Sequence, residues 1–406
     1  MKARTAWSSI RRHRFVYGGM MTLARGVPIL ALLVASILLT DDAFGRISIV
    51  VTALATASLL SDSGMDSAAT WLLAGADEVA SPAQTLSALI VLRVCVSIAA
   101  VVALVTPQAG ALAGGGSGLV LVLTCSLAAA AMAYCSAVRI SLRIGGSGEV
   151  AALLREKLVG GGLFLLALLS LGGSLADHVW IYPATCLLGC LATLLGRRLG
   201  LVAFALGDTL KLLRSAAPFM VTTICAAVVW RLPVFMLGAA GNYEAAGFLA
   251  LASYPILLLS SISVLSAPLL FLRRAQDARP GGDFRSTVAM GAACAVAIWL
   301  GYAAVKISGL SVPVDGRVLM VLAFFAPVLV PLWMNPQLST WLRLHASLWV
   351  PTLPALLGAV VGVAVVSAFL SSALSAVVGI LAAEYASLAF YLVLRGRQMK
   401  NDAGKV

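Results

Sequence analysis

Residues 214–272 read RSAAPFMVTTICAAVVWRLPVFMLGAAGNYEAAGFLALASYPILLLSSISVLSAPLLFL. Two long apolar runs flank a short polar tip, Gly241–Glu244, in this stretch. Each run is long enough to span a bilayer as a helix, which takes roughly 20 apolar residues. The stretch therefore predicts a transmembrane hairpin. Arg231 lies inside the first run, and a charge inside a membrane helix is costly and points to function.

A second stretch of similar design lies near the N-terminus. There Asp42–Gly45, with the sequence DAFG, follows an apolar run that contains Arg25. Glu244–Gly247, with the sequence EAAG, follows the run that contains Arg231. In both places another apolar run comes next. Two hairpins of one design, each opening one half of the chain, predict a transporter built from internal repeats.

The composition is that of an integral membrane protein. The chain has 406 residues, of which 61% are hydrophobic and 11% charged, whereas soluble domains are roughly 25% charged. Its mean hydropathy is +1.02. Long unbroken apolar runs favour helices over a closed barrel. The net charge of +12 would suggest nucleic acid in a soluble protein, but here the basic residues lie mostly between apolar runs. We therefore expect no nucleic-acid partner.

The apolar runs predict an all-α polytopic protein with about twelve transmembrane helices in two six-helix halves around a central cavity. A basic tail, 1–14, precedes the first half at 15–196, and a cytoplasmic link, 197–214, leads to the second half at 215–394 and the tail at 395–406. The predicted spans are 15–39, 46–64, 86–106, 118–140, 158–176, 179–196, 215–240, 245–271, 287–308, 318–335, 346–370 and 373–394.

The basic residues predict the orientation. With both termini in the cytoplasm, 22 of the 28 Lys and Arg residues fall on the cytoplasmic side and three in outer loops. The other three lie inside spans. Cytoplasmic loops of membrane proteins are enriched in Lys and Arg, so this bias favours an even number of spans with both ends inside.

Three intramembrane arginines are candidate substrate-binding residues. Arg25 and Arg231 lie near prolines in the first helix of each half, where a guanidinium offers a fork of donors suited to phosphate. The alternative is that each pairs with a carboxylate or reaches the interface. Arg93 lies nearer the cytoplasmic end of its span, so snorkelling is a plausible alternative for it.

Acidic groups are fewer inside the predicted spans. Glu384 lies in the middle of span twelve, and Asp62 lies near the end of span two. Either could belong to an ion pair or to an ion-coupling site. For Glu384 the sequence favours an ion pair with an arginine slightly over coupling. Asp62 is expected to end its helix at the inner surface.

The sequence predicts neither an enzyme nor a metal site. All seven cysteines fall within apolar runs. Cys186 and Cys190 are one helical turn apart, but no His or carboxylate completes a metal set in the sequence, so we expect free thiols. No phosphate-binding loop is present, and the three histidines fall at span ends or tails, none of them near a cysteine or an acid cluster. No cofactor is expected.

The motifs resemble those of the Wzx-type polysaccharide flippases of the multidrug/oligosaccharidyl-lipid/polysaccharide exporter superfamily. Residues 41–70, DDAFGRISIVVTALATASLLSDSGMDSAAT, show the family's acid and Gly at the outer end of helix one, then an Asp-x-Gly element, Asp62 with Gly64. Residues 212–252, LLRSAAPFMVTTICAAVVWRLPVFMLGAAGNYEAAGFLALA, are similar to the family's helices seven and eight. Arg46, after the outer glycine, departs from many relatives.

The resemblance implies a transporter in the bacterial inner membrane. Such a protein would move undecaprenyl-diphosphate-linked oligosaccharide from the cytoplasmic to the outer leaflet by alternating access, in contact with membrane lipid and with a polysaccharide polymerase and other assembly proteins. The repeat places Asp42, Gly45, Glu244 and Gly247 at an outer gate. Two alternatives remain open, namely a multidrug or cation antiporter of the same superfamily and a membrane polysaccharide polymerase or ligase.

Overall fold

The computed structural model describes residues 23–24, 26–62, 64–65, 82–113, 116–144, 148–195, 206–264, 284–308, 315–369 and 371–403. Within these ranges the chain is helical, with turns and no strand. The long helices are α1 (Gly26–Leu38), α2 (Asp41–Asp62), α3 (Pro82–Val105), α4 (Gly118–Ile144), α5 (Glu149–Leu171), α6 (Ile181–Leu194), α7 (Leu206–Ala239), α8 (Tyr243–Val264), α9 (Phe284–Ser308), α10 (Gly316–Phe325), α11 (Leu329–His345), α12 (Thr352–Phe369) and α13 (Ala373–Ala403).

These helices confirm the predicted all-α membrane protein. In the described ranges, 10 helical segments are long and apolar enough to cross a membrane, and α1 and α6 are shorter apolar helices. α10 and α11 count as one crossing, Gly316–Arg343, because only the 3₁₀ turn Ala326–Val328 separates them. Pro327 in that turn lacks an N–H and so interrupts the regular hydrogen bonding.

Several helices are longer than their predicted spans. α7 begins at Leu206, inside the predicted link, and continues without a break through Pro233. α13 runs to Ala403, past the predicted end of span twelve. α4 and α5 extend to Ile144 and from Glu149, so most of the predicted cytoplasmic segment 139–157 is helical. Hydropathy detects only the apolar part of a helix, so polar turns at the helix ends are missing from the predicted spans.

The chain divides into two compact units, Met1–Met220 and Val221–Val406, with the boundary inside α7. In the first unit α2 packs against α3 and α4, while α6 packs against α4 and α5. α2 is mostly buried, and even its polar Ser48 and Thr52 are inaccessible. Thr52 donates to the Ser48 carbonyl one turn earlier, which satisfies its hydroxyl inside the unit.

Gly64 explains the Asp-x-Gly element after α2. Its φ is +71°, in the left-handed region that side chains with a Cβ rarely adopt. A Cβ built on Gly64 would also lie 2.1 Å from the Cβ of Phe219 on α7. Only glycine therefore allows the chain to turn here while α7 packs this closely.

Glycines also set the spacing between α5 and α6. A Cβ on Gly189 would lie 2.4 Å from the Glu156 carbonyl oxygen, and one on Gly160 would lie 3.2 Å from the Thr185 carbonyl oxygen. Thr193 donates across the same interface to the Ala152 carbonyl at 3.3 Å. Small residues let membrane helices approach closely, which here brings the α6 cysteines next to charged residues of α5.

In the second unit, α12 and α13 pack through small residues in the same way. A Cβ on Gly358 would lie 2.0 Å from Ser387 Oγ, and one on Gly379 would lie 2.4 Å from Val366 Cγ2. Ser387 on α13 donates to the carbonyl of Pro354 in the first turn of α12 at 2.9 Å. Tyr391 donates to the carbonyl of Pro351, just before α12, at 3.0 Å. These contacts fix the position of α13, the helix that contains Glu384.

Candidate functional site

A polar cluster in the second unit surrounds the carboxylate of Glu384. Trp230 on α7 donates its indole N–H to Glu384 Oε1 at 2.7 Å. Asn335 on α11 donates from Nδ2 to Glu384 Oε2 at 2.8 Å and to the Glu384 carbonyl at 3.3 Å. Three helices, α7, α11 and α13, therefore meet at one carboxyl group, at points away from the ends of each helix.

Packing holds this cluster in place. The Trp230 ring meets Phe325, at the end of α10, edge to face with centroids 5.2 Å apart. Tyr385, next to Glu384, donates its hydroxyl to the Pro327 carbonyl in the 3₁₀ turn at 2.9 Å. The Oδ1 atom of Asn335 is buried and accepts no hydrogen bond from the residues that the structure describes.

The partners of Glu384 correct the expectation of an ion pair. Among the described residues, both of its side-chain partners, Trp230 and Asn335, are neutral donors, and no arginine contacts it. The physical reason lies in the helix faces. Arg231 follows Trp230 directly, and successive residues on a helix point about 100° apart, so Arg231 faces away when Trp230 faces α13. A carboxyl group held by neutral donors is a candidate for taking up a proton or a cation.

Arg231 lies on α7, partly buried, two residues before Pro233. Tyr254 on α8 lies within electrostatic range of its guanidinium. Its Nε atom is buried and has no hydrogen-bond partner, and no carboxylate pairs with Arg231 in the described part of the chain. The structure thus leaves this predicted substrate-binding residue with donors to offer.

The other two predicted arginines differ from Arg231. Arg25 lies outside the described residues. Arg93 on α3 is 1% exposed, so it does not snorkel to the interface as the sequence suggested. Its NH1 atom lies 3.9 Å from Oδ1 of Asp62, at the end of α2. Asp62 therefore belongs to an ion pair, one of the two roles predicted for it, and this pair joins α2 to α3.

The two hairpin tips have matching helix starts. Thr40 Oγ1 accepts from the Ala43 N–H at 3.4 Å, and Asn242 Oδ1 accepts from the Ala245 N–H at 3.1 Å. Each side chain caps the helix that follows it, and acids in the first turn suit the positive end of the helix dipole. Gly241, at φ +76°, ends α7 in the left-handed conformation common after helices.

The predicted gate residues lie in the first two turns of α2 and α8. Asp42 pairs with Arg46 one turn later, and Glu244 pairs with Arg317 of α10. Gly45 and Gly247, three residues after each acid, are buried. The predicted spans left Asp42–Gly45 and Glu244 in the hairpin tips, but both lie inside the helices that begin at Asp41 and Tyr243. Hydrogen bonds from the side chain and the backbone N–H of Arg317 hold the pKa of Asp315, just outside α10, below its usual range.

Arg343 is a polar residue that the sequence assigned to a cytoplasmic loop. It lies in the last turn of α11, partly buried, and donates to Thr222 Oγ1 on α7 at 3.0 Å. It follows Asn335 at two intervals of four, which places both on one face of α11. This helical spacing is the feature of the sequence that could have placed Arg343 on α11.

The first unit holds a buried charged cluster that the sequence did not predict. Glu156 on α5 pairs with Arg139 on α4 and, at 2.7 Å, with Lys157. Cys135 on α4 and Cys190 on α6 lie beside it, and the two sulfur atoms and a Glu156 oxygen all lie within 4.8 Å of one another. The sequence analysis noted Cys186 with Cys190, saw no carboxylate to complete a metal set and expected free thiols. The cysteines are free, but Glu156 lies beside Cys190 and the nearby thiol in that group is Cys135.

Comparison with known proteins identifies the family. A family model described as polysaccharide biosynthesis protein matches residues 10–269. The chain belongs to this family. No curated protein matches the sequence closely enough to count as a relative.

Solved structures share the fold of this polysaccharide biosynthesis family member. The lipid II flippase MurJ in an inward closed conformation is similar with a TM-score of 0.68 and 12% identity over 94% of this chain and 87% of its own. An inward-facing multidrug resistance MATE transporter of the MOP superfamily is similar with a TM-score of 0.63 and 12% identity over 96% of each chain. A MOP superfamily transporter from Pyrococcus furiosus is similar with a TM-score of 0.54 and 13% identity over 95% of this chain and 93% of its own.

The shared fold agrees with the superfamily that the motifs resembled. The chain is a multi-pass membrane protein with the fold of MOP-superfamily transporters and flippases. The solved structures that share this fold are those of transporters and of a lipid flippase.

Proposed function

We propose that this protein flips polyprenyl-diphosphate-linked oligosaccharide, of the undecaprenyl type, from the cytoplasmic to the outer leaflet of a bacterial inner membrane. Membership of a polysaccharide biosynthesis family supports a glycan substrate. The fold it shares with a lipid II flippase agrees with a lipid-linked one. The bias of basic residues supports both termini in the cytoplasm.

Arg231 is the observation that favours an anionic substrate. A guanidinium inside a bilayer span costs about 2.5–3.5 kcal/mol on insertion scales, so it persists where something offsets that cost. Arg93 has Asp62 within 3.9 Å, whereas no carboxylate pairs with Arg231 among the described residues. A diphosphate accepts paired hydrogen bonds from a guanidinium fork and would satisfy Arg231.

The proposal assigns roles to the other predicted residues. Arg25 would join Arg231 at the diphosphate. Arg93 would act on the substrate indirectly, through its pair with Asp62. Asp42 and Glu244, with their neighbouring glycines, would form the outer gate. Polysaccharide polymerase and other assembly proteins would receive the flipped glycan.

Complementation of a flippase-deficient strain tests this role for Arg231. Arg231→Ala is expected to abolish surface polysaccharide while lipid-linked repeat units accumulate in the inner leaflet. Arg231→Lys should retain part of the activity, because the charge remains and the fork is lost. Arg214→Ala is the matched control, since Arg214 lies exposed on the same helix. Full complementation by well-expressed Arg231→Ala would contradict the proposal.

The Glu384 cluster favours a second candidate, a cation-coupled antiporter of the same superfamily. Neutral donors around a carboxyl group suit exchange of a proton or cation against a solute. Everted membrane vesicles distinguish the candidates. A proton-coupled antiporter would carry a cationic drug into the lumen and protons out of it, so adding the drug would raise the lumen pH. Glu384→Gln would abolish that response. A flippase would show no drug-dependent response.

A further inference from the structure

Two buried thiols, those of Cys135 and Cys190, lie beside the charged cluster in the first unit, and the proposed transport function does not use them. Cys135 and Cys190 come from two different helices, α4 and α6, and both are fully buried. The Cys135 thiol donates to the Cys190 carbonyl at 3.5 Å, which holds it against α6. The two sulfur atoms lie within 4.8 Å of each other and of a Glu156 oxygen.

The carboxylate in this group is already engaged. One Glu156 oxygen accepts from Arg139 and the other pairs with Lys157 at 2.7 Å. Hard divalent ions such as Mg²⁺ require several oxygen ligands, and a zinc site here would require Glu156 to leave both cations. The ligands that remain are two sulfur atoms, which select soft ions such as Cu(I).

We propose that Cys135 and Cys190 form a two-coordinate site for a soft monovalent metal ion of the Cu(I) or Ag(I) class. Zinc–sulfur bonds are about 2.3 Å long, and two collinear bonds of similar length to a soft ion would span roughly 4.6 Å. The sulfur atoms of Cys135 and Cys190 lie no more than 4.8 Å apart, so both are close enough to contact one ion.

Binding requires both thiols to lose their protons. Two S–H bonds break, two metal–sulfur bonds form and two protons pass to water, so the bound unit of two thiolates and one monovalent ion has a charge of −1. The charged and titratable groups that face it are Arg139 from α4, Glu156 and Lys157 from α5, and Cys186 from α6. Arg139 and Lys157 stabilise the anionic complex by Coulomb attraction inside the unit.

Cys186 offers a route to the buried pair. It lies one turn before Cys190 on α6 and is only partly buried. A soft ion moves between thiols by ligand exchange, which needs no fully hydrated intermediate. Cys186→Ser is therefore expected to slow loading of the site without changing the final stoichiometry.

Metal titration of the full chain in detergent, anaerobic and with thiols reduced, tests the site. Purified protein is loaded with Cu(I) in competition with a Cu(I) chelator, and bound metal is measured after desalting. We expect one ion per chain, and at least roughly a hundredfold weaker binding in Cys135→Ser and Cys190→Ser. Cys125→Ser is the matched control, since Cys125 is equally buried on α4 and should leave binding unchanged.

X-ray absorption at the metal edge supplies the second measurement. The proposal expects two sulfur neighbours and no oxygen neighbour. Wild-type-like binding in both serine variants, an oxygen ligand from Glu156, or no metal bound to the reduced wild-type protein would each overturn it. Flippase activity does not enter these measurements, so they stand apart from the proposed transport function.

Discussion

The guanidinium of Arg317 lies over the ring of Phe248, with its central carbon 4.7 Å from the ring centroid. The same arginine pairs with Glu244, four residues before Phe248 on α8. In the first half, Asp42 pairs with Arg46, which occupies the place of Phe248 relative to its acid. Each half thus gives its tip acid an arginine, in one case from the same helix and in the other from α10.

This relationship predicts that Phe248 positions Arg317. Phe248→Leu keeps an apolar side chain but removes the π face that attracts the cation. We expect a lower thermal midpoint in detergent, and a similar decrease for Glu244→Gln. The decrease in the double variant should be smaller than the sum of the two single decreases, because both groups contact the same guanidinium. Full additivity would show that Phe248 and Glu244 act independently.

Sequence reasoning reached the helical membrane fold because apolar runs of about 20 residues leave few alternatives in lipid. It predicts a repeat, since Asp42 and Glu244 keep their spacing to Gly45 and Gly247. It missed partners that lie far apart in sequence. Glu384 meets Trp230 across 154 residues, and no local pattern encodes that contact.

The sequence did not predict the cysteine cluster, for the same reason. Cys190 was judged with its neighbour in sequence, Cys186, whereas close packing at Gly160 and Gly189 brings Glu156 beside it from another helix. Arg343 was assigned to a loop because hydropathy falls near it, although α11 continues to His345. Contacts between helices depend on which faces pack, and hydropathy does not report faces.

Gly64 is expected to tolerate no side chain. Gly64→Ala would force a Cβ to 2.1 Å from that of Phe219 and strain a backbone with φ of +71°. We expect a loss of about 1–3 kcal/mol from the backbone alone and more from the overlap. Gly162→Ala is the matched control, since nothing lies within 4 Å of its Cβ. Chemical denaturation in mixed micelles measures both, and equal stability of the two variants would contradict the packing argument.

The pair Arg93–Asp62 predicts an asymmetry. Asp62→Ala leaves the buried guanidinium of Arg93 without this carboxylate, at an expected cost of about 1–3 kcal/mol, given that Asp62 is partly exposed. Adding Arg93→Met removes the charge and retains apolar volume, so the double variant should be more stable than Asp62→Ala alone. The same denaturation measurement checks this order, and a less stable double variant would show that Arg93 does not depend on Asp62.

The orientation makes a prediction for reporter fusions. A reporter active only in the cytoplasm should be active when fused after Val406 and inactive when fused at Gly241, in the turn after α7. A reporter active only outside should give the reverse pattern. The expectation follows from the bias of basic residues. Activity of one reporter at both positions would contradict an arrangement with both termini inside.

Glu384→Gln separates a structural role of this carboxyl group from a role in ion exchange. The glutamine carbonyl can accept from Trp230 as Oε1 does now. Its amide can donate to the buried Asn335 Oδ1, which lacks a donor in the described part of the chain, once the Asn335 amide rotates by 180°. The side chain at position 384 then keeps one hydrogen bond to Trp230 and one to Asn335, while Asn335 Nδ2 gives up its bond to the carbonyl of residue 384. The number of hydrogen bonds to the side chain is unchanged, so we expect Glu384→Gln to unfold within about 1 kcal/mol of the wild type.

Trp230→Phe is the contrasting variant, because it removes the indole donor and leaves Glu384 Oε1 without it. Its expected cost is about 1–3 kcal/mol. If Glu384 exchanges a proton or cation, Glu384→Gln should fold normally and lose transport, whereas Trp230→Phe should lose stability first. Both properties are measured on one preparation, by thermal denaturation in detergent and by transport after reconstitution. A destabilised Glu384→Gln with intact transport would assign the carboxyl group to structure, since the amide then fails to replace it while ion exchange is not needed.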